Sequence, residues 1–305
     1  MADSYTRVPV SIFSDRRVVV GIALLCCLLW ASAVPGVKVG FDLIGIAPTN
    51  IFSLLLFAGV RFTIAGLILL AYASLTGKRV MLPVRGLMQV ALLGLLSTAL
   101  QYLFFYIGLA HSTGVKVSIM TSTSTFFSVL LAHFIYANDK LTWRRTVGCL
   151  LGFGGVIAVN VASSGLDLHF TLIGEGFIVI AALLFTIAAI YGKRVSQQMD
   201  VTVMTGWQLM LGGIALAVVG FAGGGEFQRF GIEAGALLAY LCLLSAAAFA
   251  LWSLLLKHNP VGSIAIWGCL TPIFGTLLSG LILGERILGW QNLVAVLVVS
   301  AAIWL

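Results

Sequence analysis

The chain has 305 residues, of which 61% are hydrophobic and 9% charged, with a mean hydropathy of +1.12. So few charges cannot coat a water-soluble globule of this size, so the composition specifies an integral membrane protein with no room for a soluble domain. The net charge of +7 does not point to nucleic acid, because the basic residues fall in short turns between apolar runs and report topology instead.

Apolar runs of helix-spanning length, roughly 20 residues each, lie near 17–40, 50–75, 85–110, 114–137, 142–161, 171–196, 201–221, 233–256, 261–282 and 287–305. They predict an all-α integral membrane protein of ten transmembrane helices. With the N-terminus in the cytoplasm, twelve Lys and Arg fall inside, among them Arg16, Arg17, Lys78, Arg145 and Lys193, against Lys38, Lys116, Arg229 and Arg286 outside. That bias predicts N-in and C-in.

Residues 1–17 form a short polar tail. The first run carries Trp30 and then Ala31-Ser32-Ala33, which imitates a signal-peptide cleavage site. Apolar character continues to Val39, so the segment is expected to stay as a helix. Pro35-Gly36 should bend or loosen it near its outer end, and Lys38 suits a lysine that snorkels from a helix end.

The second run places Arg61 near its middle. A guanidinium facing lipid there costs about 2.5 to 3.5 kcal/mol, so it must face protein or water. It is either a packing arginine bonded to carbonyls and neighbours or a direct contact for an anionic substrate group. In the third run Thr98, Tyr102 and Tyr106 recur every four residues and share one face, flanked by Gln101 and Phe105. Two phenols one turn apart, well inside the span, suit a cavity wall better than an interfacial belt.

The fourth run holds five consecutive hydroxyls, Thr121 to Thr125, which either bond their own helix or face a water-filled path. His133 reads as an interfacial packing histidine. Gly148, Gly152, Gly154 and Gly155 make the fifth run suited to close packing, within the chain by default and across a dimer as the alternative. In the second half Trp207, Trp252 and Trp267 lie within spans, and Pro272 interrupts the ninth helix and frees a carbonyl. Cys26, Cys27, Cys149, Cys242 and Cys269 all lie in apolar runs without metal-site spacing and read as packing residues.

The chain has duplicated itself. Laying Val115 on Val261 puts Asp139-Lys140-Leu141 on Glu285-Arg286-Ile287 and Thr125-Phe126 on Thr271-Pro272. Laying Trp30 on Phe185 puts Lys38 on Lys193, Leu95–Ala99 matches Leu243–Ala247, and the place of Arg61 is taken by Gln208. The units are residues 1–163, with the N-terminal tail, and 164–305. Five spans are an odd number, so the second copy is expected to enter the membrane inverted. Inverted halves suit alternating access about a site near the bilayer midplane, although architecture alone does not name a substrate.

The LTPIFGTLLSGLILGERI stretch, the Arg61-Phe62 pair, the Tyr106-Ile107-Gly108-Leu109 segment and the five-plus-five layout resemble the drug/metabolite transporter superfamily, EamA type. Trp30 with Tyr102 and Tyr106 is further similar to the branch of bacterial aromatic amino acid exporters. That resemblance implies a multi-pass carrier of the bacterial inner membrane that exports aromatic or large neutral amino acids. It implies no catalytic residue, cofactor, metal or nucleic-acid partner, and a monomer or weak dimer in the bilayer. Trp30, Tyr102, Tyr106, Trp207 and Trp267 would line the pocket. Gln101, Ser97, Ser245 and Thr121 would bond the zwitterion, Arg61 or Lys38 would meet its carboxylate, and Pro35, Gly36 and Pro272 would act as hinges. Phe126 departs from the pattern, since it stands where the other half has Pro272, so matching flexure of the halves does not follow.

Every Asp and Glu falls in the tail, in loops or at span ends. A proton antiporter carries its proton on a mid-membrane carboxylate, so facilitated diffusion is expected, with Glu175 and His133 as the exceptions to watch. The alternatives are a proton-coupled exporter of other metabolites or drugs and, from another class, a pore-type or structural membrane protein. No paired carboxylate, Ser-His-Asp set or His-x-x-x-His supports an enzyme.

Overall fold

The computed structural model describes residues 11–47, 49–112, 114–164 and 170–283. They form a helical bundle with α1 (Arg16–Ile44), α2 (Ile51–Leu75), α3 (Val84–Ala110), α4 (Gly114–Thr121), α5 (Thr123–Ile135), α6 (Trp143–Ser164), α7 (Leu172–Ser196), α8 (Val201–Ala222), α9 (Ile232–His258), α10 (Val261–Ala265) and α11 (Leu270–Leu283). Six of these, α1, α2, α3, α7, α8 and α9, are long and apolar enough to cross a membrane, and Thr123–Ile135 and Val261–Gly275 are shorter apolar helices. The expected run at 287–305 and Glu285 lie outside the described residues.

Polar residues at the turns set the helix limits. Asp15 caps α1 by accepting the Arg17 N–H at 2.8 Å, Asn50 caps α2 through Ser53 N–H at 3.1 Å, and Asp200 caps α8 through Thr202 and Val203. Gly45 ends α1 in the left-handed region at φ 76°, where a side chain would be strained. Pro35 does not stop α1, which runs through Pro35 and Gly36 as one helix of 29 residues.

Among the described residues the closest packing is between α2 and α8. A methyl group added at Gly59, Gly66, Gly213 or Gly220 would strike the backbone of Ala217, Met210, Thr63 or Leu56 respectively. Each step down α2 meets the same step up α8, so the two helices run antiparallel with their glycines turned toward each other. In lipid there is no hydrophobic drive between helices, and such small-residue faces supply the dispersion contact that holds a pair together. Gly94 on α3 and Gly212 on α8 make a similar close approach, beside a π-helical segment over Leu95–Leu100.

Packing partners correspond between the halves. α1 packs on α9 and α11, while its sequence counterpart α7 packs on α3 and α5. The breaks correspond as well: α4 and α5 part at Ser122, and α10 and α11 are joined by a 3-10 turn over Ile266–Cys269. The alignment that lays Val115 on Val261 lays Ser122 on Gly268. In a regular helix the amide at position 272 would take the Gly268 carbonyl, and proline has no N–H to give. The first half breaks at the matched place without a proline. The two breaks meet where the Thr125 hydroxyl reaches the Ala265 carbonyl at 3.3 Å.

The end of the bundle that carries the basic turns is tied by polar contacts. Lys193 donates to the Asn259 carbonyl, the Asn259 side-chain amide donates to Phe13 O at 2.9 Å, and Gln197 donates to Lys257 O at 2.9 Å. At the opposite end Glu175 accepts from Ser112 Oγ at 2.6 Å and from Thr171 N and Oγ1 at 2.7 and 2.9 Å, with Lys116 Nζ at 3.5 Å.

Candidate transport site

Arg61 is the eleventh residue of the 25-residue α2 and is 4% exposed. Its guanidinium carbon lies 4.5 Å from the centroid of the Phe62 ring, and its Nε has no hydrogen-bond partner. Among the described residues no carboxylate pairs with it. Phe62 anchors this turn because its ring is fully buried between α3 and α9, 4.5 Å from the Tyr102 centroid and 5.9 Å from Phe249.

From Phe62 a continuous series of rings runs across the bundle. Toward α1 it passes Phe249 to Trp30 at 5.8 Å and from Trp30 to Trp252 at 5.0 Å, both edge-on. Along α3 it passes Tyr102 to Tyr106 at 6.1 Å and to Phe105 at 6.2 Å. These separations and tilts are those aromatic pairs prefer, each worth about 0.5 to 1.5 kcal/mol beyond area burial. Gln101, on the turn that carries Tyr102, holds its Oε1 buried without a partner, as does the Thr205 hydroxyl on α8.

A small polar pocket lies beside Gln208, the residue matched to Arg61. It is a cavity of about 40 Å³ lined by Ser97, Gln208, Phe249, Trp252, Ser253 and Lys193, with apolar neighbours. That volume holds a few waters rather than a substrate. The Ser97 hydroxyl donates to Leu93 O at 2.8 Å, and Ser245 does the same to Leu241 O at 2.8 Å, so the matched serines are bonded alike.

Of the residues singled out from the sequence, Trp30, Tyr102, Tyr106 and Arg61 come together. Trp207 stands apart, donating its indole N–H to the Val80 carbonyl at 2.9 Å. Thr121 bonds Val117 O on its own helix at 2.7 Å, and Lys38 is exposed. Trp267 sits in the 3-10 turn, packed against the α1 cysteines, with its carbonyl receiving the Cys27 thiol at 3.2 Å. Phe62, Phe249 and Trp252 complete the series. Their sequence signals were the pairing of Phe62 with Arg61 and the spacing of Phe249 and Trp252 on the segment matched to Tyr102. His133 accepts the Leu141 N–H at 3.0 Å and stabilises a turn.

The profile of the EamA-like transporter family matches the chain twice, over residues 18–161 and 172–305. An uncharacterized transporter of Archaeoglobus fulgidus is 25% identical over 268 residues, covering 86% of this chain and 88% of its own. The uncharacterized inner membrane transporter YedA of Escherichia coli is 26% identical over 238 residues, 76% of this chain and 75% of its own. A protein of known crystal structure superposes with a TM-score of 0.76 over 95% of this chain and 96% of that one at 17% identity, which establishes a shared fold.

Proposed function

Since the chain belongs to the EamA-like transporter family and is a multi-pass membrane transporter, we propose that it is an alternating-access carrier exporting amino acids, aromatic or large neutral ones, by facilitated diffusion. The observation that carries this reading is the ring series from Trp252 through Trp30, Phe249 and Phe62 to Tyr102 and Tyr106, with the buried Arg61 against it. Flat rings receive an aromatic side chain, and a guanidinium at mid-span receives a carboxylate. In this reading the substrate meets Trp30, Tyr102, Tyr106 and Arg61 directly, Gln101 and Ser97 at its margin, and Lys38 not at all.

The proposed architecture is ten helices in two inverted halves, residues 1–163 and 164–305, with both termini on the cytoplasmic side of a bacterial inner membrane. Two features support it: the exchange of packing partners between α1 and α7, and the matched breaks at Ser122 and Gly268. Facilitated rather than proton-coupled transport is supported by the placement of the acidic residues. Glu175 is buried, but at the first turn of α7, where Ser112, Thr171 and Lys116 hold it.

Counterflow in proteoliposomes tests this. Vesicles loaded with unlabelled phenylalanine or tryptophan are diluted into tracer with and without a pH gradient. Transient tracer accumulation indifferent to the gradient is expected. Accumulation that follows the gradient would replace facilitated diffusion with proton coupling, and absence of counterflow in folded protein would remove the aromatic amino acid assignment.

A further inference from the structure

We propose that the site formed by Arg61 and the ring series also accepts, and prefers to amino acids, aromatic monocarboxylates that lack a neighbouring ammonium group, net monoanions whose own charge drives their export; this rests on the reading of that cluster as the transport site. This cluster contains one buried cation, Arg61, and, among the described residues, no carboxylate to balance it. The described acidic residues with buried side chains, Asp139 and Glu175, lie at the bundle ends and are taken by Arg145 and Lys116. Duplication did not supply a compensating charge either, because the position matched to Arg61 is the neutral Gln208.

A bound anion would therefore complete Arg61, whose Nε is left unpartnered at 4% exposure. Charge-assisted pairing with a carboxylate is among the strongest contacts a guanidinium makes, and burial strengthens it. An α-ammonium a few ångströms from that carboxylate would meet the same guanidinium with no acidic residue to offset it. The ring series takes the rest of the molecule, so the fitted ligand is an aromatic ring on a short stem that ends in a carboxylate.

Such a substrate needs no proton-carrying residue to move uphill. One elementary charge gains about 2.3 kcal/mol per 100 mV, and about 1.4 kcal/mol is a factor of ten. An interior-negative potential of about 60 mV thus holds a monoanion at an outside-to-inside ratio of about ten.

The test uses the full-length protein in proteoliposomes with a potassium/valinomycin potential, and compares phenylpyruvate, phenylalanine and phenethylamine as probes. Expected is phenylpyruvate efflux that rises with interior-negative potential to about a tenfold gradient at about 60 mV, exceeding phenylalanine flux severalfold, with no phenethylamine flux. Arg61→Lys should retain phenylpyruvate flux in part, and Arg61→Gln should lower it at least tenfold. Should the Gln variant misfold, the potential dependence of the wild-type protein decides alone. Phenylalanine flux that is electroneutral and exceeds phenylpyruvate flux overturns the anion proposal and leaves the amino acid carrier standing. Flux of neither probe overturns both.

Discussion

Asp139, in the turn between α5 and α6, accepts the backbone N–H of Gly262 at 3.0 Å, joining that turn to the first turn of α10 across 123 residues of sequence. The same carboxylate receives Arg145 Nη1, and Arg145 Nη2 donates to Ser263 Oγ at 3.0 Å. Asp139 is 1% exposed, so these donors are nearly its whole environment. Removing it leaves the buried Gly262 amide without its acceptor and takes the paired carboxylate from Arg145, which keeps the Ser263 hydroxyl and the Lys140 carbonyl. Asp139→Ala is expected to cost about 1 to 3 kcal/mol, seen as a lower Tm in detergent, while Lys140→Ala, at an exposed neighbour, should leave Tm unchanged.

The α2–α8 seam gives a second prediction. Gly66→Val and Gly213→Val drive side chains into opposing backbone, an overpacking that costs about 1 to 3 kcal/mol or more. Gly154→Ala serves as the comparison, since an added methyl there meets nothing within 4 Å. Size-exclusion profiles should show loss of the monodisperse peak for the seam variants alone. A seam variant with a wild-type profile and Tm would contradict the close approach.

How far the sequence revealed this molecule differs from feature to feature. Arg61 was legible because a mid-span charge in an apolar run has few physical explanations, and Tyr102 with Tyr106 because helical spacing puts them on one face. The fate of Trp207 was not, since its hydrogen bond goes to Val80, a loop carbonyl that no periodicity describes. The hydroxyls Thr121 and Thr123 turned to Val117 and Met120 carbonyls, a local solution that composition cannot separate from a wet helix face. The break at Ser122 carries no mark in the sequence, because it lacks the proline that accompanies its counterpart. The π-helical segment at Leu95–Leu100, beside the Gly94 and Gly212 contact, has no sequence mark either.

A third prediction concerns pH. Asp200 pairs with Lys78 at 2.9 Å and caps α8. Burial pushes its carboxyl upward, but the Lys78 hydrogen bond and charge and the Val203 and Thr202 N–H groups outweigh burial and hold it below the usual carboxylate value. A group lowered on folding stabilises the fold above its unfolded value, about 3.9, and that contribution disappears as pH falls through the folded value. Asp200→Asn keeps a capping side chain and removes the titration. Its Tm should lie slightly below wild type at pH 7, and the two curves should converge below about pH 4. The effect is small because both side chains are more than one-third exposed.

The five thiols supply a fourth. Cys26, Cys27, Cys149, Cys242 and Cys269 are all free and buried. A thiol-reactive maleimide dye should leave the folded protein unlabelled and react cooperatively on heating. Stoichiometric labelling at room temperature, before any loss of helical signal, would place at least one of these thiols at an accessible surface instead.

The glycine seam also bears on how the chain is made. α2 ends at Leu75 and its backbone-close neighbour α8 begins at Val201. At the usual pace of synthesis, about 5 to 20 residues per second, α2 is inserted on the order of ten seconds before α8 leaves the ribosome. During that interval its glycine face is bordered by lipid or by the insertion machinery. The first copy therefore waits, unfinished, for the second, because the partner that closes the α2 seam belongs to the half still to be made.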